Sequence, residues 1–178
     1  MGTIRQPKPE KLIVGLIYAP GTDLKPVYGL LEQRYGRLDY ESPEFPFAHT
    51  DYYSSEMGSG LKRRFITFEK LVETQDLPDI KLYCNGLEAR FLRSGSQNRQ
   101  VNIDPGLISE PKLILASTKN FTHRIYIGKG IYAEVTLRYI GDTYTALEWT
   151  YPDYANPEHI KIFNDIRERY RKQLNKQL

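Results

Sequence analysis

The first hundred residues alternate between strand-like and helix-like hydrophobic patterns. Residues 11–18 are a continuous apolar run, which is typical of a strand buried on both faces. Apolar residues then recur at helical spacing over residues 24–35, and the proline-interrupted residues 38–47 suit the edge of a sheet better than its centre. A strand over residues 63–72 and a second amphipathic helix over residues 77–92 follow. The pattern predicts a sheet with helices packed against it.

The next segments complete and extend this sheet. Residues 101–103 are predicted as a short strand that ends in a type II turn at Asp104-Pro105-Gly106. The resulting order, strand-helix-strand-strand-helix-strand, matches a ferredoxin-like arrangement. Residues 112–117 fit either a strand or a short helix, and turns at residues 128–130 and 141–142 indicate two hairpins.

A C-terminal helix is predicted from Asn156, the N-cap, and Pro157, the first helical residue. Its apolar stripe is expected to pack inward, and His159 in its first turn is expected to face solvent. The stripe consists of Phe163, Ile166, Tyr170 and Leu174.

The fold class that follows is α+β. We expect a mixed, mainly antiparallel sheet with a ferredoxin-like N-terminal part, extended by C-terminal hairpins and a terminal helix. Residues 1–10 are predicted to be a flexible arm, and residues 11–178 a single α+β domain.

One hairpin, residues 122–139, carries the main candidate chemistry. A three-residue loop at residues 128–130 pairs Ile127 with Ile131 and Arg124 with Glu134, and it places Gly130 in the left-handed position of a bulged hairpin. The aliphatic residues then share one face, together with Leu147 and Trp149 of a following strand. The opposite, polar face carries Arg124, Tyr126, Tyr132, Glu134, Thr136, Arg138 and Glu148.

Two interpretations of this polar face are open. It is a solvated surface with cross-strand ion pairs, or a concave site covered by residues 117–123 and 149–154. In the second case Arg124 and Arg138 would contact an anion, with Glu134 between them fixing their geometry. Tyr126 and Tyr132 would supply stacking or hydroxyl contacts, and the rim would hold Lys119, His123 and Asp153.

A second anion-binding patch is predicted at Lys62, Arg63 and Arg64. These cations follow a glycine loop, Gly58-Ser59-Gly60, whose backbone amides could join them around a phosphate. The alternative is a flexible connection leading to a solvated strand start.

Composition limits the classes of function. From Asn156 onward there are six basic and three acidic residues, which leaves 19 of each in the rest of the chain. A neutral body argues against a nucleic-acid coat, so nucleic acid is an unlikely partner apart from a local patch on the basic last helix. The N-terminus is polar and no apolar run reaches about 18 residues, so we expect neither a secretory signal nor a membrane span.

Cysteine and histidine usage indicates no metal or disulfide. The single cysteine, Cys84, excludes an internal disulfide and a thiolate cluster, is expected to be a core residue, and favours a cytoplasmic location. A metal would have to recruit His49, His123, Asp51, Asp104 or Asp153, which do not stand at ligand spacing, so no metal site is predicted. No cofactor can be assigned.

Several blocks together resemble a known family. They are FPFAHTDYY, GLKRRFITFEKLV, VNIDPG, THRIYIGKGIYAEVTLRY and WTYPDY, and they resemble the bacterial domain-of-unknown-function family 4416 over nearly the whole chain. The resemblance implies no catalytic residues, since that family has no established activity. Its members are often labelled GTP-binding proteins, but this sequence contains neither G-x-x-x-x-G-K-[ST] nor N-K-x-D, so the label is not supported here.

The leading expectation is therefore a binding site for a small anionic ligand, phosphorylated or nucleotide-like, on the polar sheet face. A structural or assembly role, through homo-oligomer or partner contacts, is the first alternative. A phosphoester-directed enzyme with His123 or Glu134 as acid/base and an RNA-binding module are further alternatives.

Overall fold

A nine-stranded antiparallel sheet forms the centre of the molecule, with helices on both of its faces. The structure is a computed structural model that describes residues 2–48 and 50–177. The strands are β1 Lys11–Tyr18, β2 Leu38–Glu41, β3 Phe45–Pro46, β4 Lys62–Phe68, β5 Val101–Ile108, β6 Lys112–Ser117, β7 Ile125–Gly128, β8 Ile131–Ile140 and β9 Thr143–Ala146. The helices are α1 Lys25–Tyr35, α2 Ser54–Met57, α3 Leu77–Glu88 and α4 Pro157–Gln177.

The α+β class and the mainly antiparallel sheet are confirmed. The strand order is β2-β4-β1-β5-β6-β8-β7, with β3 paired to β4 and β9 to β8, and every strand pairing in the described part of the chain is antiparallel. Residues 112–117 are a strand. No helix of the described residues is long and apolar enough to cross a membrane.

The sheet separates two apolar cores. Helices α1 and α3 cover one face, where they pack on alternate residues of β1 such as Leu12 and Val14. Helix α4 covers part of the other face, where Phe163 and Ile166 pack on Ile13. We call these the α1/α3 face and the α4 face. Because β1 lies between them, both of its faces are buried, as its continuous apolar run predicts.

The predicted turn at Asp104-Pro105-Gly106 is wrong, since β5 continues through it to Ile108. A proline is tolerated because its missing N–H lies on an open side of the strand. The N–H of Ile103, two residues earlier, points to this same side and donates to Glu88 of α3 instead of to β6. β6 pairs with β5 only from Gly106 onward. Residues 101–105 therefore border an opening, which we call the β5–β6 gap.

In the β7–β8 hairpin Tyr126 lies opposite Tyr132, and Gly130 has a left-handed φ of 76°. The predicted pairing of Ile127 with Ile131 is wrong, because the register shifts after Tyr126 and Gly128 lies opposite Ile131. Farther along β8 the prediction fails, because a bulge at Thr136 shifts the register. Leu113 lies opposite Leu137, whereas Ile114 lies opposite Val135. One extra residue reverses the faces of everything that follows it.

The bulge has two consequences for the predicted faces. Leu137 joins the core of the α4 face, although it was expected to share a face with Val135. Arg138 is exposed on the α1/α3 face, so the prediction that it shares a face with Glu134 is wrong.

Trp149 lies beyond the end of β9 and belongs to no strand, contrary to the predicted strand. Its indole N–H donates to the Val135 carbonyl at 2.8 Å, and the Thr150 hydroxyl donates to the Thr136 carbonyl at 2.6 Å. These two residues therefore satisfy backbone acceptors at the bulge.

Helix α4 begins as predicted, with the Asn156 side chain accepting from the Glu158 N–H at 2.9 Å. The expected solvent-facing position of His159 is wrong. Its ring is only 2% exposed, packs edge-on against Phe45 and Phe65, and lies with Nδ1 2.6 Å from the Asp153 carbonyl oxygen.

Candidate functional site

A cavity of about 570 Å³ lies beside the β5–β6 gap, between the sheet and the segments that contain residues 50–53, 117–124 and 151–154. Its charged lining consists of five cations, Arg63, Lys81, Arg99, Lys119 and Arg124, and four carboxylates, Glu88, Asp104, Glu134 and Asp153. Its aromatic lining consists of Phe47, Tyr52, Tyr53, Tyr151 and Tyr154. A concave site of this volume is typical of small-molecule binding.

Arg63 is the most deeply buried cation of the cavity, at 1% exposure. Its Nη2 lies 2.8 Å from Asp153 Oδ2, and its guanidinium stands 4.7 Å from the centre of the Phe65 ring and 4.9 Å from that of Tyr154. Within the described residues, Nε and Nη1 make no hydrogen bond of normal geometry, although the Tyr154 hydroxyl lies close enough to the guanidinium to interact with it. A buried guanidinium with two unused donors is unusual, because buried polar groups are nearly always bonded.

Gly15 provides the space for this arrangement. It faces the cavity side of β1, where a Cβ atom would lie 2.8 Å from the Tyr154 hydroxyl and 3.2 Å from Arg63 Cζ. Glycine inside the apolar run of β1 therefore marks the place where two polar groups approach the backbone.

Arg124 is another cation of the cavity wall, with a side chain that is 7% exposed, and Glu134 of β8 holds it. Arg124 donates through Nε to Glu134 Oε2 at 2.7 Å, through Nη1 to the Lys119 carbonyl at 3.0 Å and through Nη2 to the Tyr151 hydroxyl at 2.9 Å. Glu134 is 3% exposed, so burial of its carboxylate depends on this partner. The ion pair therefore fixes the guanidinium at the cavity wall.

His123 also contacts the Glu134 carboxylate. Its Nε2 lies 3.1 Å from Glu134 Oε2, and its ring stacks on Trp149 with a centroid distance of 5.1 Å and an interplanar angle of 8°. His123 is absent from the described cavity lining. This position suits a residue that orients Glu134 better than one that contacts a ligand.

Helix α3 closes the β5–β6 gap with two charged side chains. Lys81 donates to Asp104 Oδ1 at 3.1 Å and to the Ile103 carbonyl at 3.3 Å, while Glu88 accepts from the Ile103 N–H at 2.6 Å and from Arg99 Nη1 at 2.7 Å. Side chains thus satisfy the backbone groups of β5 that no strand reaches.

The charges in the gap stabilise one another. Burial alone would lower the pKa of Lys81, but the Asp104 and Glu88 carboxylates outweigh it, so its pKa is raised. Burial would likewise raise the pKa of Asp104, but Lys81 and Arg63 outweigh it, so its pKa is lowered. Both groups are therefore charged at neutral pH.

Lys119 and Tyr52 form the mouth of the cavity. The Lys119 ammonium donates to the Tyr52 hydroxyl at 2.9 Å and lies 4.4 Å from the centre of its ring. Tyr52 is 61% exposed. Lys119 is the outermost of the five cations, and its hydrogen bond holds it at the entrance.

The cavity brings together only part of the predicted ligand-binding set. Lys119, Arg124, Glu134 and Asp153 line it, and so do residues 117–119 and 151–154, which belong to the two segments named as a possible cover. Tyr126 and Tyr132 contact each other edge-on, with ring centroids 5.4 Å apart and an interplanar angle of 63°, outside the lining. Arg138 lies on the opposite face because of the bulge at Thr136.

The second predicted patch does not exist as a unit, because side chains alternate along β4. Arg63 points to the α4 face and into the cavity. Lys62 lies 3.3 Å from Glu44, and Arg64 pairs with Glu41, both at the β2–β3 edge. The three cations therefore cannot hold one phosphate together.

Apart from Asp104, which was considered only as a metal ligand, the residues of the gap were not predicted as site residues. Lys81, Asn85 and Glu88 form a polar stripe at spacings of four and three beside the apolar stripe of α3, and Asn102 and Asp104 alternate with apolar residues in β5. Both signals are visible in the sequence. The mistaken turn at residues 104–106 concealed the second one.

Some basic residues of α4 form hydrogen bonds and ion pairs within the chain. Arg167 donates to the Glu110 carbonyl at 2.7 Å and lies over the Tyr139 ring at 3.5 Å, and Arg171 contacts Glu168 at 3.2 Å. These contacts account for two basic residues of the last helix without a nucleic-acid partner.

No group of three or more His, Cys, Asp or Glu side chains in the described residues could hold a metal ion. His49, named among the metal candidates, lies outside the described residues. Cys84 is buried, and burial raises the pKa of its thiol to about 12, so it is not a reactive thiolate.

A family model matches most of this chain. The model of a domain of unknown function, DUF4416, matches residues 8–170. No curated protein and no solved structure matches the chain.

Proposed function

Because the chain belongs to the DUF4416 family, whose description assigns no activity, we propose its function from the site alone: the cavity binds a small anionic ligand. The anion would occupy the part of the cavity between Arg63, Arg124 and Lys119.

The observation that carries this proposal is the unused hydrogen-bonding capacity of Arg63. One carboxylate, Asp153, compensates its charge, but Nε and Nη1 make no hydrogen bond of normal geometry within the described residues. An arginine presents donors in a rigid planar fork that matches phosphate and carboxylate oxygens. An anion in the cavity would supply the missing acceptors.

Preorganisation supports the same conclusion. Asp153 fixes Arg63, and Glu134 fixes Arg124, before any ligand enters. Side chains that are already ordered lose little rotamer freedom on binding, which favours affinity. Burial also strengthens their attraction for an anion, since the local dielectric constant is low.

The experiment is a thermal-shift titration with inorganic phosphate, sugar phosphates and nucleotides. Wild-type protein should be stabilised by about 2.7 kcal/mol at a ligand concentration of 100 Kd, because the ligand binds only the folded state. Arg124→Ala and Glu134→Gln should lose most of that stabilisation. Arg138→Ala is the matched control, because this exposed arginine of β8 lies on the opposite face.

A uniform response contradicts the proposal. If Arg124→Ala and Arg138→Ala change the thermal shift equally, the anion binds to surface charge and not to the cavity. If no anion stabilises the wild-type protein at millimolar concentration, the cavity is not an anion site.

The contacts of Glu134 and His123 favour binding over acid–base chemistry. Glu134 already neutralises Arg124, and His123 contacts Glu134 and Trp149 instead of lining the cavity. A phosphoester-directed reaction that uses either residue stays a prediction, and so does RNA binding.

Self-association is a second candidate, supported by the edge strand β7. Ile125 and Tyr126 of this strand are 72% and 58% exposed, and Phe121 beside it is 63% exposed. β7 contains no charged residue and no proline. Such residues commonly prevent a sheet edge from pairing with another chain. Light scattering of wild type and Ile125→Lys tests this: a dimer that dissociates in the variant supports it, and a monomeric wild type removes it.

Two finer interpretations accompany the proposal. The order β2-β4-β1-β5, with α1 and α3 on one face, supports a ferredoxin-like description of the N-terminal part. The single cysteine supports a cytoplasmic location.

A further inference from the structure

We propose that the ligand is a small hydroxylated compound with one anionic group, and that the β5–β6 gap receives its hydroxylated part and rejects a polyphosphate. This inference rests on the proposed anion site at Arg63 and adds the chemical class of the rest of the ligand.

The first argument is the charge of the lining. Five cations face four carboxylates, and Glu56 also bonds Arg99 through two oxygens at 2.7 and 2.8 Å. The cavity therefore has little net positive charge. One compact anion can be compensated at Arg63 and Arg124, whereas a chain of phosphates would place further negative charge against Glu88 and Asp104.

The second argument is the hydrogen-bonding capacity of the gap. Each oxygen of Glu88 and Asp104 accepts one hydrogen bond from the protein, from Ile103, Arg99, Lys81 or Asn102. A carboxylate oxygen has a second lone pair, so each can also accept from a ligand hydroxyl. The gap therefore offers acceptors to a ligand, which a sugar hydroxyl can use and a fully ionised phosphate group cannot.

Asn85 adds an adaptable group to the same wall. It stands on α3 one turn from Lys81 and from Glu88, is half-buried, and lines the cavity. An amide both donates and accepts, which suits a hydroxyl.

The two parts of the cavity adjoin. Asp104 accepts a hydrogen bond from Lys81, in the gap, at 3.1 Å. It also lies opposite Gly15, whose Cβ position would be 3.2 Å from Cζ of Arg63 at the anion site, so Asp104 lies close to both cations. One small molecule can therefore contact the anion site and the gap at the same time. A volume of about 570 Å³ leaves room for a body beyond a single phosphate group.

Calorimetric titration with three probes at constant ionic strength tests this inference. The probes are inorganic phosphate, tripolyphosphate and ribose 5-phosphate. For the wild-type protein we expect ribose 5-phosphate to bind at least tenfold more tightly than phosphate, and tripolyphosphate to bind no more tightly than phosphate. Asn85→Leu should remove the advantage of ribose 5-phosphate and keep phosphate binding, because it changes the gap and not the arginines.

Lys129→Gln is the control for Asn85→Leu. Lys129 is exposed, pairs with Asp79 at 2.6 Å and lies outside the lining, so all three affinities should match the wild type.

The outcomes separate this inference from the proposed function. If tripolyphosphate binds more tightly than phosphate and Arg63→Met abolishes its binding, the anion site stands and the inference is overturned. If ribose 5-phosphate keeps its advantage in Asn85→Leu, the inference is also overturned. If no probe binds, the inference and the proposed function fall together.

Discussion

The ion pair between Arg63 and Asp153 allows a quantitative test of how the site is built. Arg63 is 1% and Asp153 5% exposed, and the charged atoms are 2.8 Å apart. At an effective dielectric constant of 20 their gross attraction is about 6 kcal/mol, which offsets the loss of hydration of both groups. Removing one partner leaves an uncompensated buried charge, so Arg63→Met and Asp153→Asn should each destabilise the fold by about 3–5 kcal/mol.

The double variant should behave differently. Arg63→Met with Asp153→Asn removes both charges, and we expect a net loss of no more than about 1 kcal/mol, because a buried pair is seldom better than neutral replacements. The same double variant should show no stabilisation by phosphate. A small loss of stability together with a lost response to phosphate would show that the ion pair contributes to ligand binding and not to the stability of the fold.

Urea unfolding, followed by the fluorescence of the single tryptophan, gives the measurement. With a slope of about 2.5 kcal/mol per molar urea, each single variant should lower the midpoint by about 1–2 M. Two results would refute the reasoning. One is a loss below about 1 kcal/mol for both single variants, which is the behaviour of a solvated pair. The other is a double variant whose loss equals the sum of the single losses.

Two further predictions concern the packing around the site and a buried acid. Gly15→Ala should lower the free energy of unfolding by about 1–3 kcal/mol, because its Cβ would lie 2.8 Å from the Tyr154 hydroxyl. Gly29→Ala in α1, where nothing lies within 4 Å of the added Cβ, should raise it by about 0.5–1 kcal/mol. Urea midpoints check both. Burial raises the pKa of Glu10 above its ordinary value of 4.5, so its ionisation costs stability as the pH rises through the folded pKa. Glu10→Gln should therefore be more stable than wild type at pH 7 and equal to it below about pH 4, and an equal difference at both pH values would contradict this.

Most secondary-structure elements could be predicted because their signals are local. The apolar run of β1, the Asn156-Pro157 start of α4 and the glycines of the β7–β8 loop each act within a few residues of themselves.

The failures have tertiary causes. Pro105 normally indicates a turn, but the strand continues through it because its missing N–H faces the β5–β6 gap, where Glu88 of α3 accepts from the Ile103 N–H instead of β6. The bulge at Thr136 depends on Trp149 and Thr150, which bond its carbonyls from another segment. The periodicity of β8 alone gives no sign of it, so Arg138 was assigned to the wrong face.

The β5–β6 gap also affects the mechanics of the sheet. Only three residue pairs, those of residues 106–108 with residues 113–115, join β5 to β6, whereas all eight residues of β5 pair with β1. The sheet therefore consists of two extensively paired parts, or plates: β2, β3, β4, β1 and β5 form one, and β6, β7, β8 and β9 form the other. The short β5–β6 pairing between them, the seam, is where we expect the sheet to twist most easily. Arg63 belongs to one plate and Glu134, which holds Arg124, to the other. A molecule that contacts both arginines would act as a brace across the seam.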